Sequence, residues 1–421
     1  MTNPRIALIQ PDSPYLSFPL SFPSLGLLYL SSHLKKHAYL TDFYDLTGGV
    51  SLPEDLKADI FGFSLQITQF KELLKNLPEL RRNNPNSLFV AGGPFPTHSP
   101  EECLGAGFDI AVSGEGEVPF LEIVNNFPNV EKGIHSSEKF VEPNEIPDWE
   151  AINPLRYKYQ LDGKRCINIM TKRGNCPYKC TFCAKQETGK SPPRFRTLDN
   201  ILEEIKFLRE KYGFESIAIY DDEIFINKKR DKEIFKKLYE LRMPYRCMTR
   251  ADLANREDLK SLKETGCGEV CVGVETADPY IHKEVIKKGT TVEQNTEFVK
   301  NCKDLGLRVK AYLIIGLPSE SRESVEKTRN WLRETKPDNF DMSIFTPYPG
   351  SDIYKNKGEY DIDWDEAHLR RVWFSGEAQY GDCAVRTSSL SSHDILNLKR
   401  ETEEEFKRGE GGSTNYWGPI K

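Results

Sequence analysis

The sequence predicts an α/β protein in two units: an N-terminal doubly wound parallel sheet, then a partial (β/α)6 barrel with a small C-terminal extension. Three observations carry that prediction. Short apolar runs alternate with segments of helical spacing over residues 1–127, the same alternation resumes from Arg165 with a coarse period, and glycines stand at or just past the ends of apolar runs. In the first unit strands are expected at 5–9, 38–45, 59–65, 87–91 and 109–112, with helices at 25–36 and 70–82 and a last one ending at Phe127. Residues 128–160, with Pro128, Pro143, Pro147 and Pro154 among polar side chains, read as an ordered linker. Strands follow at 166–172, 215–221, 244–250, 269–275, 309–315 and 340–346, separated by helices near 199–212, 228–241, 255–265, 292–305 and 321–335. Parallel strands joined by crossover helices wrap toward a barrel, assigned to 161–355. The extension, 356–421, is polar, with a charged helix near 392–408 and a glycine-rich stretch at 409–412.

Composition narrows the class of function. The 421 residues are 29% charged and 38% hydrophobic with a net charge of −6, which gives no argument for nucleic acid or an anionic membrane as partner. No apolar run approaches the ~18 residues of a membrane-spanning helix. The first residues lack the basic and long apolar segments of a secretory signal, so a cytoplasmic enzyme or binding protein is expected. Ten cysteines in such a chain are not expected to form a disulfide framework.

Three of them have metal-ligand spacing. Cys176, Cys180 and Cys183 form CxxxCxxC at the carboxyl end of the first barrel strand, where barrel enzymes place their chemistry. Three soft thiolates on one loop favour an iron–sulfur cluster or zinc. A structural zinc site wants a fourth tight ligand, and neither a histidine nor another cysteine stands nearby. Three ligands suit a four-iron (4Fe–4S) cluster that keeps one iron open.

CxxxCxxC with an aromatic residue, Phe182, before the last cysteine resembles the signature of radical S-adenosylmethionine (SAM) enzymes. Four further segments agree. Tyr220-Asp-Asp-Glu-Ile-Phe225 resembles the segment that holds the methionine amino group, implying roles for Asp222 and Glu223. Thr249-Arg250-Ala-Asp252 resembles a recurrent third-strand pattern, and Val272-Gly-Val-Glu275 resembles the ribose-contact strand. Leu313-Ile-Ile-Gly316-Leu-Pro-Ser-Glu320 resembles the adenine motif, with Tyr312 where a glycine is common. The resemblance implies that the cluster cleaves SAM to a 5′-deoxyadenosyl radical, with Phe182, Asp222, Glu223, Arg250, Glu275 and Gly316 as the SAM-binding residues.

The first unit resembles the cobalamin-binding-type domain that precedes many such barrels. The matching text is Pro23-Ser-Leu-Gly-Leu-Leu-Tyr29, Ile60-Phe-Gly-Phe-Ser64, Ala91-Gly-Gly-Pro94 with Thr97, Pro100-Glu-Glu102, and Asp109 to Glu117. Gly62, Ser64, Gly92, Gly93, Gly114 and Gly116, at strand ends, are the implied cobalamin contacts; as residues alone the glycines read equally as tight turns. The cobalt-ligating DxHxxG of cobalamin domains is absent, its nearest text being Asp42-Phe-Tyr-Asp45-Leu-Thr-Gly48, while His33 and His37 read as surface positions.

Side chains alternate faces along a strand, which places Arg246, Met248 and Arg250 on one face, as it does Cys271, Gly273 and Glu275, and Lys310, Tyr312 and Ile314. These polar faces predict a lumen that holds ligand, or else buried ion pairs such as Arg250 with Glu275. The expected reaction is cobalamin-dependent C-methylation of a small molecule, with electrons from a flavodoxin- or ferredoxin-type donor. The alternatives are a cobalamin-independent dehydratase, epimerase or oxidative rearrangement on the same scaffold, or a non-catalytic iron–sulfur electron carrier. Cys271, Tyr312 and Lys310 are the catalytic candidates, Cys271 as the hydrogen donor an epimerase needs. With Cys103 its sole cysteine, the first unit lacks the ligands for a methylthiotransferase's second cluster.

Overall fold

The structure is a computed structural model that describes residues 3–16, 18–187, 191–408 and 417–419, so the glycine-rich stretch 409–412 lies outside the described residues. The chain divides into two compact units, one of residues 1–157 and 187–200, the other of 158–186 and 201–421.

The first unit alternates β1 (Ile6–Gln10), α1 (Leu25–Lys36), β2 (Thr41–Asp45), β3 (Ile60–Ser64), α2 (Ile67–Asn83), β4 (Leu88–Gly92), the short helices α3 (Pro94–His98) and α4 (Pro100–Gly105), β5 (Ile110–Val112), α5 (Glu117–Asn126) and β6 (Gly133–His135). All six strands are parallel, in the order β2-β1-β3-β4-β5-β6. Helices cover both faces of such a sheet, which is why β1, β3 and β4 are nearly unbroken apolar runs. One core joins Leu8, Ile60, Val90 and Ile110 to Leu30 and Leu34 of α1 and to Phe120 and Val124 of α5. The strand order reverses between β1 and β3, and ligands bind beyond the carboxyl ends of strands at such a switch point.

Residues 128–157, expected as a linker, are packed into this unit. Ser31 and Lys35 both reach the Asp148 carboxylate, at 2.6 Å, and His33 places Nδ1 2.9 Å from Glu145. His33 is therefore buried, contrary to its expected surface position, because the returning segment covers that face of α1; His37 is exposed.

The second unit opens with β7 (Tyr159–Leu161), antiparallel to β8 (Lys164–Ile169). It continues through α6 (Leu198–Tyr212), β9 (Ser216–Ile219), α7 (Lys228–Glu240), β10 (Tyr245–Thr249), α8 (Arg256–Glu264), β11 (Cys267–Glu275), α9 (Val292–Asp304), β12 (Val309–Ile315), α10 (Arg322–Thr335) and β13 (Asn339–Ile344). Strands β8 to β13 are parallel neighbours in chain order and curl into an open half-barrel. Asn255, Thr291 and Ser321 cap α8, α9 and α10 with reciprocal capping boxes, fixing where each crossover helix begins. The extension contributes α11 (Glu366–Ser375) and α12 (Ser392–Arg408). No helix among the described residues is long and apolar enough to cross a membrane.

Candidate active site

The loop after β8 carries Cys176, Cys180 and Cys183 as half-buried thiols outside any disulfide. Its anchor is Thr181, buried between the second and third cysteines. The Thr181 amide donates to Ile286 O at 3.0 Å, its hydroxyl to Val285 O at 2.8 Å, and its carbonyl accepts from the Ile353 amide at 3.1 Å. Burial raises all three thiol pKa values, Cys180 to about 11, while Lys288 and Arg250 pull Cys180 downward. Among the described residues no three Cys, His, Asp or Glu side chains already stand as a metal-binding group. To hold a cluster the three thiols would have to come together and give up their protons. Three sulfur donors without a fourth protein ligand fit a four-iron cluster with one open corner.

Around that loop the strand ends bring four of the expected SAM-binding residues, Asp222, Glu223, Arg250 and Glu275, close to the cysteines. Arg250, at the end of β10, makes a two-pronged contact with Asp252 at 2.9 and 3.0 Å, lies 3.7 Å over the Tyr178 ring and points Nη1 at Cys180 Sγ, 3.9 Å away. The Arg250–Glu275 pair expected from their shared lumen face is not formed. Glu275 instead pairs with Lys288 at 2.6 Å, because a register shift between Gly273 and Glu275 and a positive φ of 64° at Glu275 break the alternation there. Glu223 is buried and accepts from the Arg250 amide at 2.8 Å; desolvation lifts its pKa to about 7. Asp222 is ion-paired with Lys185 and more open, and Phe182 is half-buried on the cysteine loop.

Gly316, φ +86°, ends β12. Its amide donates to the buried Glu320 carboxyl, and Ile395 of α12 stands 3.3 Å from where a Cβ would be. Desolvation lifts Glu320 to about pH 8, with the Gly316 and Leu317 amides only partly offsetting it. The folded pKa lies above the ordinary value of 4.5, so this carboxyl favours folding while protonated; its contribution is lost as pH rises from about 4.5 towards 8. Glu320→Gln is therefore expected to match the wild type in urea melts near pH 4 and to exceed it increasingly up to pH 9. Each pKa unit is worth about 1.4 kcal/mol, so the gain is a few kcal/mol at most. Parallel stability curves for the two proteins would show that Glu320 ionises freely.

Lys288, Thr181 and Asp221 were not expected from sequence. Asp221 is buried and accepts from the Thr171 amide at 2.8 Å, bracing the chain just ahead of the cysteine loop. In the run Asp221-Asp222-Glu223 the available signal was alternation: Asp221 is out of phase with Tyr220 and Asp222.

Deeper in the lumen, Arg246 and Met248 of β10 and Lys310, Tyr312 and Ile314 of β12 are half-buried while the residues between them are fully buried, as the alternation predicts. Arg246 Nη2 donates to Cys271 Sγ at 2.9 Å and to Tyr312 OH at 3.2 Å, and Nη1 donates to Tyr159 OH at 3.0 Å. Two catalytic candidates, Cys271 and Tyr312, are thus brought together, and burial raises the pKa of both. Cys271 is 1% exposed and lies four residues before Glu275, about 13 Å below the strand ends. Lys310 pairs separately with Asp341 at 2.7 Å.

The expected corrinoid residues divide. Gly62 is a correction: its missing side chain points into the core, 2.8 Å from Phe120 and 3.0 Å from Leu8. Packing requires glycine there, not a ligand. Gly93 has φ +97°, and a Cβ would meet Leu65 N at 2.9 Å and Ser64 Oγ at 3.1 Å. Thr97 ties the next two loops together, its hydroxyl donating to Gly93 O at 2.8 Å and accepting from the Gly114 amide at 3.1 Å. At Gly114 and Gly116 a Cβ would meet nothing within 4 Å, and at Gly92 only Phe63 O at 3.6 Å. At the carboxyl end of β1, Gln10 Oε1 and Ser13 Oγ are buried without partners. Open backbone and orphaned polar atoms beyond the strand ends fit a large polar cofactor such as cobalamin.

A model of the radical SAM superfamily matches residues 172–332, and one of the B12 binding domain matches residues 15–124. Over 363 residues the chain is 30% identical to an uncharacterized methyltransferase of Pyrococcus horikoshii, spanning 79% of this chain and 78% of that protein. It is 26% identical over 374 residues to an anaerobic magnesium-protoporphyrin IX monomethyl ester cyclase of Rubrivivax gelatinosus, 80% of this chain and 67% of the relative. Among solved structures, the radical SAM methyltransferase TsrM of Kitasatospora setae, with cobalamin and a 4Fe–4S cluster bound, superposes with a TM-score of 0.65 at 17% identity, over 83% of this chain and 74% of that one. That last likeness is one of fold.

Fold, cysteine loop and matches define an enzyme that works through a sulfur-ligated iron cluster. The chain belongs to the radical SAM superfamily, with a B12 binding domain ahead of its barrel. Membership of the radical SAM superfamily and the B12 binding domain imply a 4Fe–4S cluster, SAM and cobalamin as cofactors. Cys176, Cys180 and Cys183 would hold the cluster; Glu223, Arg250 and Glu275 would orient SAM; the loops at Gly92–Gly93 and Gly114–Gly116 would hold the corrinoid.

Proposed function

We propose that this enzyme methylates a carbon atom of a small molecule in a cobalamin-dependent radical reaction. The observation that carries the reading is the corrinoid crevice: Gly92, Gly93, Gly114 and Gly116 stay open or locked in glycine-only geometry in a domain joined to a radical SAM barrel. Names of relatives support it, since the Pyrococcus protein is called a methyltransferase and TsrM is one. When bound, the cofactors supply reductive cleavage of SAM and delivery of a methyl group.

The chain's own part is to bind, orient and exclude. Glu223 holds the methionine amino group and Glu275 the ribose, Arg250 keeps a positive charge beside Cys180, and Asp221 and Thr181 hold the cysteine loop. The polar lumen face, with Lys310, Tyr312 and Arg246, suits an anionic or hydroxylated substrate; Tyr348 is a further contact. A flavodoxin- or ferredoxin-type protein of the cytoplasm donates the electron.

The test uses methyl-labelled SAM with reduced, cobalamin-loaded enzyme and a panel of candidate acceptors. Label is expected in the product, with 5′-deoxyadenosine and S-adenosylhomocysteine formed in equal amounts. The cyclase relative favours a second reading, oxidative rearrangement. Deoxyadenosine formed with a converted but unlabelled substrate would establish that reading and remove methylation.

A further inference from the structure

Lys288 lies on none of the segments that carry the family resemblance, yet it occupies the junction between cysteine loop and ribose strand. It is buried, and its ammonium donates to Gly273 O at 2.5 Å and to Glu275 Oε1 at 2.6 Å. The contact depends on Gly273: a Cβ there would stand 2.5 Å from Lys288 Nζ. The residue after it, Gly289, lies against the guanidinium of Arg250, whose other nitrogen points at Cys180. The segment before it, Ile281–Val285, is a π-helical turn whose end, Val285 O and Ile286 O, receives both hydrogen bonds that Thr181 donates from the cysteine loop. One short stretch of chain therefore grips the cluster loop at Thr181 and the ribose carboxylate through Lys288.

A fixed ammonium on the stretch that grips the cluster loop has an electronic consequence. The electron that reduces the cluster adds negative charge, and a buried positive charge nearby favours it more strongly than one in water. Lys288 is buried on the stretch that holds the cysteine loop at Thr181, and its charge is matched there by the Glu275 carboxylate 2.6 Å away. A neutral side chain at 288 removes one positive charge and leaves the Glu275 carboxylate without its ion-pair partner, so the site becomes one unit more negative.

We propose that Lys288 is a positioning residue that sets the reduction potential of the cluster and, through Glu275, couples it to the nucleoside site. The proposal rests on the cluster and SAM assignments and not on which substrate is methylated. Its test is an EPR-monitored redox titration of the reconstituted full chain without SAM, with SAM affinity measured separately. The wild type is compared with Lys288→Arg, Lys288→Gln and Lys288→Met, each first assayed for iron.

Lys288→Gln and Lys288→Met are expected to disfavour cluster reduction about tenfold, which for a one-electron couple is a shift of about 59 mV to more negative potential. Both should also bind SAM about tenfold more weakly, and Lys288→Arg should restore the potential. If Lys288→Met loses its cluster, the Arg and Gln variants carry the same comparison. A wild-type potential in Lys288→Gln overturns the proposal, as does a shift that Lys288→Arg does not reverse. A wild-type protein that holds no cluster would sink the cofactor assignment instead.

Discussion

Cys180→Ala is expected to abolish cluster assembly and SAM cleavage together. Without the second thiolate the loop offers two ligands, and the buried neighbourhood that Arg250 and Lys288 make favourable for sulfur loses its anion. Reductive cleavage has no other route, so the loss should be at least about 10³-fold, or about 4 kcal/mol in barrier. Cys176→Ala and Cys183→Ala should behave alike. The controls are Cys166→Ala and Cys302→Ala, whose thiols are buried in β8 and α9. These should keep the iron, its visible absorption and deoxyadenosine formation. Iron retained at full stoichiometry with active cleavage in Cys180→Ala would show that the cluster is held elsewhere.

Gly93→Ala is expected to remove corrinoid binding. With φ +97° and ψ −169°, Gly93 sits in backbone space that is essentially glycine-only, and a side chain there costs of order 1–3 kcal/mol. The new methyl would also press on the Leu65 backbone at 2.9 Å, which has to shift together with the loop that Thr97 holds. Spectra with added hydroxocobalamin should show affinity down at least about tenfold, alongside a lowered melting temperature. Gly116→Ala separates strain from contact. Its φ is −86° and nothing lies within 4 Å of the added carbon, so its melting temperature should not change. If Gly93→Ala binds cobalamin as the wild type does, the crevice is not the corrinoid site.

Much of this molecule was legible in the order of its residues. Period-two alternation identified Lys310, Tyr312 and Ile314 as one face of β12 because a parallel strand between outer helices has one dry side and one lumen side. CxxxCxxC was legible because thiolate chelation from a single loop is a local constraint.

What misled was interaction between residues far apart in the chain. A Glu275–Arg250 pair was the alternative to a ligand-holding lumen, since both face it; the bulge at Gly273–Glu275 turns Glu275 to Lys288 instead. Gly62 looked like Gly93, both glycines at strand ends, until Phe120 filled the space beside the first. His33 looked exposed on an amphipathic helix that residues 145–148 go on to cover.

By itself the sequence determined the order of strands and helices, the three cysteines and the class of chemistry, since these follow from periodicity and from ligand spacing within a few residues. Only the tertiary structure decided which charges share a site. It set Lys288 between Glu275 and the Thr181 loop, joined Arg246 to Cys271 and Tyr312, and left Gly114 and Gly116 open. The physical reason is that Coulomb interaction and close packing depend on distance in space, which for these groups is set by strand register and crossover helices rather than by neighbouring residues.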